Sequence, residues 1–599
     1  MELEEHAYDV VVIGAGGAGL RAAIEARDRG ARTALVCKSL LGKAHTVMAE
    51  GGIAAAMGNV YPDDNWRVHF RDTMRGGKML NSWRMAQLHA QEAPDRVYEL
   101  EEWGALFDRT DDGRILQRDF GGHRFARLAH VGDRTGLEMI RTLQHRAVAL
   151  GVDVFMECTV MRLLTDDGRI AGVVAYWRES GRLVVFRAKA VVLATGGIGK
   201  AWKVTSNSWE YTGDGHALAL WAGADLVDME FVQFHPTGRV WPPSVRGILV
   251  TEGVRGDGGV LRNSEGKRFM FDYIPDMFRS ETAETEDEAD RWYDDRQSNR
   301  RTPDLLPRDE VARAINTEVK EGRGSPHGGV FLDIASRKPA DYIQRRLPSM
   351  YHQFKELADV DITKEPMEVG PTCHYVMGGI RVDPDTQAAT VPGLFAAGEA
   401  AGGMHGANRL GGNSLSDLLV FGLRAGRYAA EHAAGVDTPA VDPEQVAAAE
   451  REALAPFERA DSGVNPYTVQ QELQDCMQEL VGIIRTEDEL KRALERIQAL
   501  KERAGGVGVE GHRQYNPGWH LALDLRSLLT VAECVALAAL ERRESRGGHT
   551  RDDYPKPDPE LGKVKMVVRA RDGKVSVSRE PLDEMPDDLQ ELFEEKPRS

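Results

Sequence analysis

The chain has 599 residues, too many for one hydrophobic core, so two to four domains are expected. An apolar content of 42% and a charged content of 28% describe an ordinary soluble globular protein, and a formal net charge of −18 argues against a nucleic-acid-binding surface. No apolar run approaches the roughly 18 residues of a membrane helix, and the acidic start Met1-Glu2-Leu3-Glu4-Glu5 shows no signal or transit peptide, which reads as cytosolic.

The first element is a β-branched run, Tyr8-Asp9-Val10-Val11-Val12-Ile13, with the profile of a buried parallel strand. It enters Gly14-Ala15-Gly16-Gly17-Ala18-Gly19, and a helix from about Leu20 to Arg29 and a second strand from Arg32 to Cys37 follow. Gly14 allows the tight turn, Gly16 the close approach of a pyrophosphate, and Gly19 the packing of helix on strand. The phosphates then meet the free N–H groups of the helix N-terminus. A carboxylate for an NAD ribose is expected at the end of the second strand. Cys37-Lys38-Ser39 stand there instead, which weakens an NAD reading. Next comes His45-Thr46-Val47-Met48-Ala49-Glu50-Gly51-Gly52. A histidine in such a loop can be a ligand, an acid/base, or the nitrogen that carries a flavin covalently.

Two later segments belong with this nucleotide-binding unit. Ala190 to Gly197 is a strand running into a glycine turn, and Pro392 to Glu399 is a strand ending in Gly-Glu. The unit is therefore split around an insertion. Within the insertion, Glu281 to Arg301 is dense in charge and reads as a solvated surface excursion, with a partner contact as the alternative. Apolar residues at three-to-four spacing predict helices over Glu444 to Ala460, Tyr467 to Ile484 and Glu487 to Arg503, then one from about Leu525 to Arg543. Val564 to Val577 reads as a hairpin turning at Asp572-Gly573, followed by an acidic tail. Five scattered cysteines (Cys37, Cys158, Cys373, Cys476, Cys534) have no CxxC spacing, so neither zinc nor an iron–sulphur cluster assembles locally.

Four distant segments carry polar residues unlike core filler: Glu230 to Gly238, Leu249 to Gly256, Pro307 to Arg313, and Pro371 to Tyr375 together with His405 to Leu415. With HTV-x-A at 45–49, QFHPTG at 233–238, TEG-x-RG at 251–256, PTCHY at 371–375, NRLGGNSL at 408–415 and ESRG-x-H at 544–549, the chain resembles the succinate dehydrogenase and fumarate reductase flavoprotein subunits from about residue 8 to 555.

That resemblance implies an α/β fold: a split Rossmann-like FAD-binding domain over 1–239 and 356–432, an inserted α+β capping domain over 240–355, a helical domain over 433–545, and a tail with a hairpin over 546–599. It implies FAD bound covalently through His45. The cofactor contacts would come from Gly14, Ala15, Gly16, Gly17, Ala18, Gly19, Cys37, Lys38, Ser39, Thr46, Glu50, Gly51, Gly52, Asp214, Glu399, Asn413, Ser414 and Leu415. Ser-Lys is the family's usual pair near position 38. A C4 dicarboxylate is a dianion and needs cations and donors at both ends. The resemblance supplies Arg409 as a bidentate clamp, His235, His374 and Thr251 as donors, and Phe120. It gives the proton step to Arg308, although arginine holds its proton above about pH 12, with Glu252 and Arg255 as relay partners.

The expected function is the catalytic subunit of a succinate:quinone oxidoreductase, with a quinol:fumarate reductase as the alternative. Glu50, where succinate dehydrogenases often carry Gln, should lower the flavin potential and favour fumarate reduction. Electrons would leave to an iron–sulphur subunit and then to a quinone-binding membrane anchor, at the cytoplasmic face of the cell membrane. The late helices and ESRG-x-H are candidates for part of the partner surface. A soluble L-aspartate oxidase shares the fold but lacks the flavin-linking histidine. A non-catalytic flavin-binding subunit would have no need of the dicarboxylate residues.

Overall fold

The computed structural model describes residues 3–571 and 573–594. Strand β1 (Glu4–Ile13) pairs in parallel with β2 (Thr33–Val36) on one side and with Leu183–Leu193 on the other. The sheet continues through Asp153–Phe155 beyond β2, and through Arg169–Trp177 and Cys158–Asp166 beyond Leu183–Leu193. Leu394–Ala396 joins Leu183–Leu193 in parallel, which closes the split domain. Val10 to Ile13 are all buried, as a strand covered on both faces must be.

Helix α1 (Gly17–Asp28) starts three residues before the Leu20 read from the sequence. Gly14 has φ +106°, and a Cβ there would lie 2.2 Å from the Ala194 carbonyl oxygen; one on Gly19 would lie 1.8 Å from that of Gly14. The turn can thus be built only from glycine. The helix Asn413–Ala434 packs backbone to backbone on α1, since Cβ atoms on Gly422 and Gly426 would stand 2.7 and 2.2 Å from the Ala18 and Ala22 oxygens.

The inserted unit has an antiparallel sheet in the order Val232–Arg239, Met367–Val376, Val330–Asp333, Val260–Arg262. Its two outermost strands in sequence lie on either side of the 240–355 span expected for the cap. In sequence they adjoin Leu226–Val227 and Gly379–Ile380, which pair with each other in a separate small sheet. The unit has its own core, including Leu261, Phe269, Ile315, Leu332 and Phe354.

The charged stretch is exposed along one side, as at Glu284 to Asp287, but it is anchored to the protein on the other. It closes on itself through a bridge between Thr282 and Arg301, and it contains the helix Glu286–Asp294, capped by the Thr285 hydroxyl. Ala289 and Trp292 are buried, and Arg296 and Arg301 pair with Asp119. Local charge density misled here because the partners of these arginines lie far away in sequence.

Helices Pro443–Glu458, Pro466–Leu480, Glu487–Ala504 and Pro517–Glu541 form the helical region. Asp442, Asn465 and Asn516 each cap a helix whose first residue is proline, pre-set in φ and free of an N–H to satisfy. Asn516-Pro517 thereby sets the start of the last helix well before Leu525. Within ESRG-x-H, Glu544 and His549 are fully buried and serve the interior of the chain. Arg542 donates to Glu230 (2.5 Å) and Glu544 (3.0 Å), and Arg485 lies 3.0 Å from His549 Nδ1, an ionic knot joining the helical region to the start of the cap sheet.

The hairpin Val564–Arg571 and Lys574–Pro581 adds to Leu226–Val227 and Gly379–Ile380. Of its expected turn, Asp572 lies outside the described residues. Leu589 of the tail packs on Phe70, Met74, Ala86 and Ala90. Among the described residues no helix is long and apolar enough to cross a membrane, and no cluster of side chains could hold a metal ion. All five cysteines are free and buried.

Under the N-terminal end of Asn413–Ala434, the rings of His69 and His89 lie 5.1 Å apart and those of His69 and His123 lie 5.8 Å apart. Burial holds His89 down at about 3, against an ordinary 6.5. Folded His89 therefore binds no proton over a range in which the unfolded chain does. Its contribution to stability is present above pH 6.5 and is lost as pH falls below it. His89→Gln should make the fall of unfolding free energy between about pH 6.5 and 4.5 shallower by roughly 1.4 kcal/mol per pH unit. Denaturant melts across that range would show it, and parallel slopes for the two proteins would count against it.

Candidate active site

One continuous cavity starts at the 14–18 turn, passes Lys38 and His45, and ends among His235, Thr251, Arg308, His374 and Arg409. The other residues singled out from the sequence line it too, with three exceptions. Gly19 lies in the contact between helix and strand. Asn413, at the start of its helix, turns its side chain to His69 (2.9 Å) and Thr73 (3.0 Å). Arg255 stands behind Glu252, 3.9 Å from its carboxylate.

At the turn end, Gly16 caps α1 without a side-chain hydrogen bond, so the first helical N–H groups face the cavity; Gly17 N–H has only Thr46 Oγ1 at 3.3 Å. This is the donor set a pyrophosphate takes. In place of a ribose carboxylate, Lys38 ties three elements together. Its ammonium donates to Asp214 (3.0 Å), Thr212 (2.9 Å) and Asp524 (2.7 Å), the last from the long helix Pro517–Glu541.

In the middle of the cavity, His45 sits edge-on to Tyr211 with ring centroids 4.8 Å apart. Its Nδ1 is buried without a partner, and its Nε2 has only Asn207 Nδ2 at 3.4 Å. Burial, partly offset by Glu210, pushes the imidazole down to about 4, so it is neutral. Burial likewise raises Glu50 to about 8, with a further push from Asp133, and raises Glu399 to about 8. Unpaired buried atoms of His45, Glu50 and Glu210 all border this stretch. A cavity with a phosphate turn at one end and unpaired buried polar atoms along its middle fits FAD.

At the far end the two arginines share one anchor. Gln233 Oε1 accepts from Arg409 Nη2 (3.0 Å) and Arg308 Nη1 (3.4 Å), while Gln233 Nε2 donates to Asn408 (2.8 Å) and to the Arg409 carbonyl (2.8 Å). Arg409 also donates to Ser414 Oγ (2.7 Å) and lies 4.2 Å over the Tyr375 ring. Burial, with Arg308 nearby, lowers Arg409 to about 10, which leaves it charged at neutral pH. Arg308 Nε donates to Glu252 Oε2 at 2.9 Å, and Glu252 Oε1 accepts from Gly121 N–H at 2.7 Å. Burial alone would raise Glu252, but Arg308 and Arg255 outweigh it and hold the carboxyl below its ordinary value.

His235 and His374 face each other at 5.2 Å, and His374 Nδ1 meets Ser206 Oγ at 2.7 Å. Burial and then the nearby arginines drive both imidazoles well below 6.5. The end of the cavity thus presents two cations and two neutral imidazoles, with an ionised carboxylate behind Arg308.

The family model described as "FAD binding domain" matches residues 9–415, and the one described as "Fumarate reductase flavoprotein C-term" matches 470–593. The chain belongs to the succinate dehydrogenase/fumarate reductase flavoprotein subunits. It is an FAD-dependent oxidoreductase of that family. It is 44% identical over 95% of its length to a fumarate reductase (CoM/CoB) subunit from Methanothermobacter marburgensis, 98% of which is covered. It is 40% identical to the succinate dehydrogenase flavoprotein subunit of Coxiella burnetii, with 95% of each chain covered. Among solved structures, Mycobacterium smegmatis Sdh1 in complex with UQ1 superposes with a TM-score of 0.87 at 63% identity, covering 99% of this chain and 97% of that one. A point mutant of E. coli quinol fumarate reductase gives a TM-score of 0.89 at 35% identity, with 98% of each chain covered.

Several residues that line this flavoprotein's cavity or bond to its lining were not marked by the sequence. Gln233 was within reach, because it stands two residues before His235 on the same strand and alternation puts both on one face. Tyr211, Ser206, Asn207 and Glu210 lie in a loop without motif or periodicity, and nothing local marks them. Arg118, which donates to the Gly51 carbonyl at 2.6 Å, was hidden for the same reason.

Proposed function

We infer that this chain is the catalytic flavoprotein subunit of a succinate:quinone oxidoreductase. The observation that carries the reading is the pair Arg308 and Arg409, both hydrogen-bonded to Gln233 Oε1 at the end of a flavin-sized cavity, beside neutral His235 and His374. Two cations bring two carboxylates of a C4 dianion within reach, and uncharged imidazoles add donors without adding charge. FAD, when bound, supplies two-electron hydride exchange with the substrate. Arg409 and His374 hold one carboxylate, and His235 and Thr251 hold the other. Arg308 moves the proton. A charged guanidinium has no free lone pair, but Glu252 accepts from Arg308 Nε, so passing that proton to Glu252 leaves a neutral guanidine that can take the substrate's proton at another nitrogen. Arg308 and, after it, Arg255 outweigh burial and keep Glu252 ionised for this duty.

The direction is succinate oxidation. As an extra carboxylate beside the flavin, an ionised Glu50 would favour fumarate reduction. Burial raises it to about 8, so at neutral pH it is mostly uncharged and that bias is weak. The electrons would leave to an iron–sulphur subunit and a quinone-binding membrane anchor, which places the chain at the cytoplasmic face of the membrane through its partners. Purified chain should reduce an artificial dye with succinate. Oxygen consumption with L-aspartate at an equal or greater rate would replace this reading with an oxidase.

His45 is the site of covalent FAD attachment. Its imidazole is neutral, hence nucleophilic, and its Nδ1 and Nε2 make no strong bond to protein. In a denaturing gel the wild-type band should fluoresce under ultraviolet light and the His45→Ser band should not. His45→Ser should still bind FAD, through the phosphate turn and Glu399, and should lose more succinate oxidation than fumarate reduction. Flavin released from wild type by acid precipitation would rule the linkage out.

A further inference from the structure

At the turn 118–121 the cap, the flavin loop and the proton relay meet. Arg118 donates to the carbonyls of Glu50 and Gly51 in the flavin loop. Phe120 is buried against that loop and the substrate end: a Cβ on Gly51 would lie 2.8 Å from its ring, and one on Gly411 2.5 Å. Gly121 N–H fixes Glu252 Oε1 at 2.7 Å, opposite the oxygen that accepts from Arg308. The remaining residue, Asp119, has no role in that machinery, yet its side chain is nearly buried. Both of its cationic partners come from the charged segment 281–301: Arg296 bonds one oxygen, and Arg301 lies 3.6 Å from the other and reaches the Phe120 carbonyl at 3.4 Å.

The segment is built to hold those arginines still. Its ends are tied by the bridge between Thr282 and Arg301, and Trp292 lies under both guanidiniums at 4.7 and 5.6 Å. Asp290 is held by Arg337 (2.6 Å) and by Arg268 (2.9 Å), which also grips Asp304. Tyr293 donates to the carbonyl of Arg255, the residue behind Glu252. A solvated excursion would show none of these fixed contacts.

We propose that the segment 281–301 is a positioning clamp: Arg296 and Arg301, closing on Asp119, fix the turn that aims the Gly121 N–H at Glu252 and sets Phe120 against the substrate. None of the three charged residues lines the cavity. They act through the turn, and the proposal rests on Glu252 being the relay carboxylate of a dicarboxylate oxidoreductase. A Glu252 freed to rotate would lose its alignment with Arg308 while the anion-binding groups stayed in place.

The test uses the full-length FAD-loaded chain and the variants Asp119→Asn, Arg296→Ala and Arg296→Lys. Succinate-to-dye turnover is measured alongside malonate binding, followed by the flavin absorbance change. Asp119→Asn and Arg296→Ala should lower kcat by about tenfold and change the malonate Kd by less than about threefold. Arg296→Lys, which keeps the charge, should regain most of the lost rate. Asp119→Asn is nearly isosteric and carries the test should Arg296→Ala fail to fold. Unchanged kcat in Asp119→Asn would overturn the clamp, as would equal losses of turnover and malonate affinity or a lysine variant no better than alanine. A wild type inactive on succinate would overturn the functional reading and the clamp with it; an active wild type with unmoved variants overturns the clamp alone.

Discussion

Arg308→Lys should lower succinate turnover by about 10³-fold while malonate affinity changes by less than about threefold. The geometry sets this split. The Arg308 fork spans Glu252 Oε2 at 2.9 Å and Gln233 Oε1 at 3.4 Å, with one nitrogen on each. Lysine keeps the positive charge that draws a carboxylate, but its single ammonium cannot take a proton at one nitrogen and pass it on from another. The interaction lost is one made mainly in the transition state, so kcat falls and binding does not. Stopped-flow reduction of the flavin by succinate, with malonate titrated separately, reads both quantities. Equal losses in the two would reduce Arg308 to an anion anchor.

Arg409→Ala has the opposite signature. Arg409 is buried over the Tyr375 ring and held by Gln233 and Ser414, so its guanidinium is fixed before substrate arrives. Removing it from a desolvated charge pair should cost roughly 2–5 kcal/mol of dicarboxylate binding, or about 30- to 4000-fold in the malonate Kd. Turnover at saturating succinate should fall far less than in Arg308→Lys. Fluorescence or absorbance titration with malonate settles it. An affinity within about threefold of wild type would move the clamp role to another residue.

Much of the cofactor end was legible in sequence because its physics is local. Gly14 takes a positive φ and Gly19 packs on the Gly14 carbonyl, demands set within a few residues, and Val10 to Ile13 answer burial on both faces of a sheet. The helical region was legible for the same reason, and its one misplaced start had a local signal in Asn516-Pro517. The substrate end was legible only through motifs: His235, Glu252, Arg308, His374 and Arg409 stand on five separate segments, and no periodicity predicts that they converge.

What the sequence by itself determined, then, is the strand–turn–helix that takes the pyrophosphate, the helix caps, and which polar residues are too unusual to be core. Each rests on contacts within a few residues or on composition. The tertiary structure decided what pairs with what across the chain. Lys38 became an anchor for Asp214 and Asp524, ESRG-x-H an internal knot around Arg542, and the charged stretch a packed element gripping Asp119. It also decided charge states. Glu50 and Glu399 rise to about 8 while Glu252 stays ionised, although all three are buried glutamates. Burial penalises each carboxylate alike, and only Glu252 has two arginines close enough to outweigh it. One of those arginines, Arg308, stands on a different segment of the chain, and the distance between them is set by how the cap packs, which is why the fold had to supply that balance.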